Sequence, residues 1–122
     1  MCFKKSLWGI IPACLDQSKI AANAILGKTQ KPYEGTFWNT RLKIAGIQLA
    51  SFGTPPTKGS TTEEIIDFTD PSCYLCRKAI IENGTLKGAI LMGGGDEMFF
   101  QKNIGKKIEK DSIQKKLKEP AP

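Results

Sequence analysis

Arg77-Lys-Ala-Ile-Ile-Glu-Asn-Gly-Thr-Leu-Lys-Gly-Ala-Ile-Leu-Met92 is the stretch that decides the fold. Two β-rich runs flank Asn83-Gly84, a pair that tolerates the positive φ angles of a two-residue type I′ turn. Pairing outward from this turn predicts four facing pairs: Glu82 with Thr85, Ile81 with Leu86, Ile80 with Lys87, and Ala79 with Gly88. The second run ends in residues 89–92, which are all apolar, so we expect it to lie inside a sheet with both faces covered.

A helix is predicted ahead of the first strand. Pro12 suits the first turn of a helix, where its missing N–H costs nothing, and Gly27 supplies a stop. Between them, one side follows helical spacing and is mostly apolar: Ile11, Cys14, Leu15, Ser18, Ala22, Ile25 and Leu26. The opposite side carries Asp16, Gln17, Lys19 and Asn23. This pattern predicts an amphipathic helix whose apolar stripe packs against a partner.

The remaining segments complete the predicted architecture. Alternating runs at residues 41–44, 47–52 and 63–68 predict three strands before the hairpin. After the hairpin, Asp96 is a candidate N-cap for a helix carrying Phe100, Ile104 and Ile108, and Asp111 offers a cap to a last short helix. The order predicts an α+β fold with an N-terminal helix, about five mostly antiparallel strands around a central hairpin, and C-terminal helices. The turn-rich residues 31–35 divide the chain into a helical segment, 1–30, and an α+β domain, 31–122.

The composition excludes several kinds of function. The 122 residues contain no histidine, which excludes a His general base, a Ser-His-Asp or Cys-His nucleophile and a His-containing zinc site within this chain. No apolar run reaches the roughly 18 to 20 residues of a membrane span. The net charge of +6 favours an anionic partner, but many cations lie in a Lys-rich C-terminal tail, for which a solvated helix face is the ordinary interpretation.

Two short motifs and the N-terminus carry weak signals. Cys73-Tyr-Leu-Cys76 has the spacing of redox dithiols and of half a zinc site, but Cys2 and Cys14 are too unevenly spaced to complete it. Small semi-apolar fillers are the alternative, and we expect no metal site. Residues 93–96, Gly-Gly-Gly-Asp, lack the spacings of nucleotide-binding loops and are interpreted as a strand-to-helix hinge. Residues 1–14 resemble a secretory leader only superficially, because Pro12 breaks a short apolar run.

Three segments, in the same order, resemble one family of flavoproteins. Residues 8–27 resemble the helix that closes the FAD domain of pyridine nucleotide-disulfide oxidoreductase-like proteins. Residues 40–53 are similar to the strand pair that opens their C-terminal domain, and residues 76–93 resemble its central hairpin. The branch with the greatest likeness contains NADH-rubredoxin reductases, NADH oxidases and nitrite reductase large subunits. The resemblance extends over roughly residues 8 to 110.

The resemblance implies a limited set of functional residues. In the family, the units that bind FAD and NADH precede the position of Gly9 and Pro12, and they are missing from this sequence. The chain therefore resembles a C-terminal domain or fragment that is not catalytic alone and holds no FAD by itself, although the parent family uses FAD. Where the missing domains are present, the helix start faces the flavin with Ile10, Ile11, Pro12 and Ala13. Trp38, beside Phe37, is a weaker candidate, for which an ordinary buried or interface aromatic pair is the alternative.

These observations leave three hypotheses about function. The first is a C-terminal, interface-type domain of an NADH- and FAD-dependent oxidoreductase in the cytoplasm, whose partner is the missing flavin domain or a second copy of the chain. The second is a small basic adaptor that docks an acidic electron-transfer protein through the Lys-rich tail, with nucleic acid a less favoured ligand. The third is a small dithiol or zinc protein that uses Cys73 and Cys76. The sequence does not decide whether this chain is itself an enzyme, and it implies no membrane partner.

Overall fold

The computed structural model describes residues 2–3, 6–7, 9–28 and 31–120. Its strands and helices, in chain order, are β1 (Cys2–Phe3), β2 (Ser6–Leu7), α1 (Ile11–Ile25), β3 (Asn39–Ile44), β4 (Ile47–Gly53), β5 (Glu63–Asp70), β6 (Leu75–Glu82), β7 (Thr85–Met92), α2 (Glu97–Asn103) and α3 (Lys110–Lys118). A short 3-10 turn, Pro71–Cys73, lies between β5 and β6. Among the helices of these residues, none has the length and apolar character needed to cross a membrane.

The chain separates into two compact units, Met1–Phe37 and Trp38–Pro122. In the first unit, β1 and β2 pair antiparallel and α1 follows. The predicted limits of α1 are confirmed, because Pro12 lies in its first turn and Gly27, with φ of +66°, follows the C-cap residue Leu26. The predicted division between residues 30 and 31 adjoins residues 29 and 30, which lie outside the described residues, and it stays a prediction. Lys4 and Lys5, two cations that precede the short apolar run of the leader-like pattern, also lie outside them.

The second unit is built on a five-stranded antiparallel sheet. Its spatial order is β3-β4-β7-β6-β5, and every neighbouring pair is antiparallel. Asn83 and Gly84 form the turn between β6 and β7 with φ of +51° and +74°, as the hairpin pattern predicts. Because β7 is the middle strand, the prediction that it lies inside a sheet is confirmed. The α+β fold with a central hairpin is likewise confirmed.

The symmetric register predicted for the hairpin holds only next to its turn. Glu82 faces Thr85 and Ile81 faces Leu86, but beyond a bulge Ile80 faces Gly88 rather than Lys87, and Ala79 faces Ala89 rather than Gly88. The Lys87 carbonyl accepts a hydrogen bond from the Thr54 N–H at 3.0 Å, so the extra residue serves the segment that follows β4 instead of the hairpin partner. A β-bulge of this kind cannot be seen in the alternation of the hairpin itself.

One helical layer covers one face of the sheet. The buried cluster joins apolar residues of the sheet to the helices: Ala50, Phe52, Ala79, Ile81, Leu86, Ala89 and Leu91 from the strands, Phe100 from α2, and Ile113 and Leu117 from α3. Arg41 of the edge strand β3 donates from Nε to Glu97 Oε2 at 2.6 Å, and its guanidinium lies over the Phe52 ring. The apolar spacing of the C-terminal helices therefore serves this single layer.

The opposite face of the sheet is open, which corrects the prediction that both faces of residues 89–92 are covered. Ala89 and Leu91 point into the core, but Ile90 is 38% exposed on the other face. Its cross-strand neighbours there are Ser51 and Lys78. An all-apolar run is expected for a strand covered on both sides, so this face carries more apolar surface than a solvated sheet face normally does.

The helix predicted after the hairpin is shorter than its apolar spacing suggested. Asp96 caps α2 as predicted, accepting a hydrogen bond from the Phe99 N–H at 2.9 Å. However, α2 ends at Asn103, and neither Ile104 nor Ile108 belongs to it. Gly105 has φ of +83°, and the Leu86 N–H donates to the Lys106 carbonyl at 3.0 Å. Residues after Gly105 thus pair with β7, and this pairing replaces a continuation of the helix.

A buried arginine fixes the end of α3. Arg77 on β6 is 1% exposed and sits among the apolar residues of the core. Its Nη1 donates to the carbonyl of Leu117 at 2.9 Å and to the carbonyl of Glu119. The last carbonyls of a helix lack partners within the helix and carry partial negative charge, so a guanidinium is well suited to bind them.

Candidate functional site

The start of α1, the predicted flavin-facing segment, has the expected local structure. Ile10 is the N-cap residue with extended backbone, Pro12 follows in the first turn, and no acidic side chain lies in that turn. Ala13 is fully buried, whereas Ile11 is 76% exposed. The four predicted residues therefore stand together at a helix N-terminus, but Trp38 belongs to the other compact unit. Whether the helix start faces a flavin stays a prediction.

The apolar stripe of α1 is the more informative feature of this unit. Leu15 is 56% exposed and Ile25 is 86% exposed, and Cys14, Ser18 and Ala22 are exposed as well. The stripe that was predicted to pack against a partner is thus open in the structure. Exposing several large apolar side chains on one helix face is unfavourable in water and marks an interaction surface.

The polar side of α1 is better covered than the stripe. Asp16 Oδ2 accepts a hydrogen bond from the Thr36 hydroxyl at 2.8 Å, and the Thr36 and Tyr33 hydroxyls lie 2.7 Å apart. The Gln17 Nε2 is buried without a partner in the part of the chain that the structure describes. Residues 33–36 therefore fold back on the polar side of α1, which leaves the apolar stripe facing outward.

A concave apolar groove of about 500 Å³ lies on the open face of the sheet in the second unit. Its lining includes Trp38, so the weaker of the predicted site residues does belong to a cavity. The other lining residues come from all five strands of the sheet and the segment after β4: Thr40, Ser51, Phe52, Gly53, Thr54, Pro55, Pro56, Ile65, Lys78, Ile80, Ala89 and Ile90. The groove was not predicted from the sequence, although the small residues Ser51, Gly53 and Gly88 on one sheet face were a visible signal for it.

Two glycines bring the wall of the groove close to its floor. A Cβ atom on Gly53 would lie 2.1 Å from the Lys87 carbonyl oxygen, and one on Gly88 would lie 2.2 Å from that of Thr54. The bulge in β7 and the segment after β4 can approach this closely only because both positions lack a side chain. The segment that carries Pro55 and Pro56 is therefore held against the sheet as one wall of the groove.

The C-x-x-C cysteines do not form a recognisable centre. Cys73 ends the 3-10 turn and is exposed, Cys76 lies in β6, and both are free thiols. Tyr74 between them has φ of +53°, and its side chain is exposed. A second concavity, of about 600 Å³, borders Cys73 and Tyr74 and is otherwise lined by Ala45, Gly46, Ile47, Gln48, Gly93 and Gly94. Among the described residues, no group of three or more cysteine and carboxylate side chains is arranged to hold a metal ion.

The glycine run and the Lys-rich tail both have structural roles. Gly93, Gly94 and Gly95 all adopt positive φ angles and lead β7 into α2, as expected of a hinge. In the tail, Lys110 pairs with Glu64, and Lys116 pairs with Asp96 and Glu119. Part of the basic charge is therefore neutralised within the domain, which weakens the case for a basic adaptor.

The Asp96–Lys116 pair shifts two pKa values. The backbone N–H of Phe99 and the Lys116 ammonium stabilise the carboxylate and hold the pKa of Asp96 below its usual range. Hydrogen bonds to Glu119 and Asp96 raise the pKa of Lys116 above its usual range. Both groups lie near the surface, so these shifts describe the attachment of α3 to α2 and not a catalytic pair.

An antiparallel sheet with one helical layer and one open face that carries a groove defines the second unit as an α+β domain. Residues 39–111 match the family described as the Rubredoxin NAD+ reductase C-terminal domain, and the chain belongs to this family. This confirms the resemblance drawn from residues 40–53 and 76–93. The segment 8–27 lies outside the matched residues.

Two relatives from Bacillus subtilis (strain 168) are similar over most of this chain. The NAD(P)H nitrite reductase is 28% identical over 90 residues, which make up 74% of this chain and 11% of that protein. The assimilatory nitrate reductase electron transfer subunit is 31% identical over 88 residues, 72% of this chain and 11% of that protein. The chain thus spans about a tenth of the length of the curated relatives it matches. It corresponds to a C-terminal-type domain of oxidoreductases in the nitrite reductase branch.

Proposed function

We propose that this chain serves as the docking domain of an NAD(P)H- and FAD-dependent oxidoreductase of the nitrite reductase type, acting in the cytoplasm. In this function it contributes surfaces and not catalytic groups, and the flavin is held by domains that this sequence does not contain. The start of α1, from Ile10 to Ala13, faces the flavin in the assembled enzyme. Its amide groups and helix dipole favour negative charge on the reduced flavin ring.

The observation that carries this proposal is the exposed apolar stripe of α1. Ile11, Leu15 and Ile25 are more than half exposed, while the polar side of the same helix is partly covered. A helix with its faces arranged in this way needs a partner outside the described chain. The relatives supply a reason for one, because the matched domain is only 11% of each of them.

The first test asks whether the chain binds flavin alone. Purified chain is titrated into FAD while flavin fluorescence is followed, with free FAD and a stoichiometric flavoprotein as references. We expect no saturable quenching, because the groups that hold the cofactor lie in other domains. Tight one-to-one binding of FAD by the isolated chain would overturn the proposal.

The second test measures docking in a complete enzyme. In the full-length Bacillus subtilis nitrite reductase, the stretch that matches this chain is replaced by the corresponding stretch of this chain together with α1. We expect the hybrid to retain FAD, and Leu15→Glu to lower FAD retention severalfold because it places a charge in the docked stripe. The matched control Lys19→Glu alters charge on the same helix outside the stripe and is expected to leave retention unchanged. Equal retention in the two variants would contradict docking through α1.

A further inference from the structure

The groove on the open sheet face has the size and build of a small-molecule site. Its volume of about 500 Å³ lies within the range of roughly 300 to 1,000 Å³ that is usual for such sites. The groove is deepest over Ser51 and Gly53, which have a small side chain and none. Ile80, only 8% exposed, also lines it. Trp38 and the Pro55-Pro56 segment also border this floor. The surface is therefore concave, unlike the flat face expected of sheet packing.

The chemistry of the lining is apolar with a single charge. Ile65 and Ile90 are 51% and 38% exposed, so the groove presents branched aliphatic surface that water covers only at a free-energy cost. The lining residues with polar side chains are Thr40, Ser51 and Thr54, Trp38 with its indole N–H, and Lys78, which carries the charge. A ligand that suits this lining has an apolar body and few polar groups.

Lys78 gives the groove its charge preference. Asp67 on β5 faces it directly in the register, yet none of the ion pairs among the described residues involves Lys78. The side chain instead borders the groove beside Ile90. An ammonium that is exposed, without an ion-pair partner and next to apolar surface favours a ligand with a negative group at that end.

We propose that this groove is a binding site for a small amphipathic anion, a molecule with an apolar body of medium chain length and a single carboxylate that pairs with Lys78. The apolar body lies along Ile65, Ile80 and Ile90 against the Trp38 wall. The site is independent of the docking function proposed above, because α1 takes no part in it. The proposal therefore does not rest on docking through α1, although the groove shares Trp38 with the weaker of the predicted flavin-facing candidates.

Matched probes of equal chain length test the proposal on the full chain. Decanoate and 1-decanol are titrated separately, below the micelle concentration of decanoate, by calorimetry and by amide chemical shifts in ¹⁵N-labelled protein. We expect one decanoate per chain, shifts confined to Ser51, Ile65, Ile90 and their neighbours, and 1-decanol about three- to fivefold weaker because it cannot pair with Lys78. Equal affinity for the two probes, no binding of decanoate, or shifts centred on α1 would each overturn the proposal.

Variants separate the charge from the cavity. Lys78→Met is expected to reduce decanoate affinity to that of 1-decanol, while the control Lys118→Met, which removes an exposed lysine of α3, leaves it unchanged. Ser51→Leu fills the floor and is expected to abolish binding of both probes. If Ser51→Leu fails to fold, the two lysine variants still decide the matter. Concentration-dependent shifts at the groove without any probe would mean that a second copy occupies it, and this outcome would also overturn the proposal.

Discussion

Gly53 and Gly59 share a backbone conformation that disfavours side chains, but their surroundings differ. Both adopt a positive φ, +72° and +79°, but a Cβ on Gly53 would lie 2.1 Å from the Lys87 carbonyl oxygen, whereas one on Gly59 would meet nothing within 4 Å. We expect Gly53→Ala to lower the free energy of unfolding by about 2–4 kcal/mol, because the strand and the bulge must separate. Urea unfolding of the purified chain measures this loss.

Gly59→Ala is the matched control for that prediction. It carries the same penalty for a side chain at positive φ, about 1 kcal/mol, without the steric conflict. The difference between the two variants therefore reports the close approach alone. A loss no larger in Gly53→Ala than in Gly59→Ala would mean that the segment after β4 moves away easily and does not form a fixed groove wall.

Arg77 illustrates a residue whose role the sequence does not reveal. In the alternation of β6 it occupies a core position, where an apolar residue is expected, and its guanidinium instead binds the end of α3. Arg77→Met removes these hydrogen bonds but also the cost of a buried charge, so we expect a net loss of only about 1–2 kcal/mol in the free energy of unfolding. The sharper effect is local, because the last carbonyls of α3 lose their donor.

Hydrogen exchange tests this local effect of Arg77→Met. The Glu119 N–H, which donates to the Lys115 carbonyl at 3.1 Å, is expected to exchange faster by a larger factor than amides of β7. Lys118→Met, on the exposed side of the same helix, serves as control and should leave both sites unchanged. Uniform acceleration across the sheet and α3 would show that Arg77 stabilises the whole domain and not the helix end.

At the scale of elements, the joint between α2 and α3 should depend on pH. Because its folded pKa is lowered, Asp96 adds stability that is fully present above the pKa of the unfolded chain and is lost as pH falls through the folded value. Lys116 has a raised pKa, so its contribution is present below the unfolded value and is lost as pH rises through the folded one. Between these limits, from mildly acidic to mildly alkaline pH, we expect the joint to be intact.

Two Asp96 variants separate the cap from the ion pair. Asp96→Asn keeps a side-chain acceptor for the Phe99 N–H but loses the charge, so its stability should fall less on acidification than that of the wild type. Asp96→Ala loses the cap too and should cost about 1 kcal/mol at neutral pH. Thermal unfolding across acidic pH measures both effects. If Asp96→Asn lost as much stability on acidification as the wild type, the acid dependence would come from other carboxylates.

The elements that sequence analysis predicted well are those whose signals are local. The Asn83-Gly84 turn, the Asp96 cap and the Pro12 to Gly27 limits of α1 each depend on conformational preferences of one or two residues. Register beyond the turn and the end of α2 depend instead on hydrogen bonds from distant segments, at Lys87 and at Lys106. Alternation and helical spacing do not reveal hydrogen bonds to distant segments. The predicted hairpin register beyond the turn and the predicted length of α2 were therefore wrong.

In the candidate sites, too, local features were predictable from the sequence and features that depend on distant segments were not. The apolar stripe of α1 was readable from spacing, but that it faces outward depends on residues 33–36 covering the opposite side. The groove joins five strands and a loop, and Lys78 gains its significance only because Asp67 does not pair with it. A linear pattern identifies which residues share a face, whereas tertiary structure decides which face is left uncovered.

At the scale of the whole molecule, the two compact units present different surfaces. The first offers a convex apolar stripe on α1, which suits docking to a large partner. The second offers a concave groove with one cation, which suits a small ligand. The relatives are about nine times as long as the stretch that they share with this chain, so they have room for a domain that covers the stripe. The groove requires no macromolecule to cover it.

The stripe predicts how the isolated chain behaves in solution. Without its partner domain, the exposed Ile11, Leu15 and Ile25 are expected to drive reversible self-association, because burying them against a second copy removes apolar area from water. Sedimentation velocity over a range of protein concentrations should show the weight-average coefficient rising with concentration. Leu15→Glu should abolish that rise, and Lys19→Glu, which places the same carboxylate on the same helix outside the stripe, should preserve it. A strictly monomeric wild type would mean that the stripe tolerates water, and the docking function would then lose the observation that carries it.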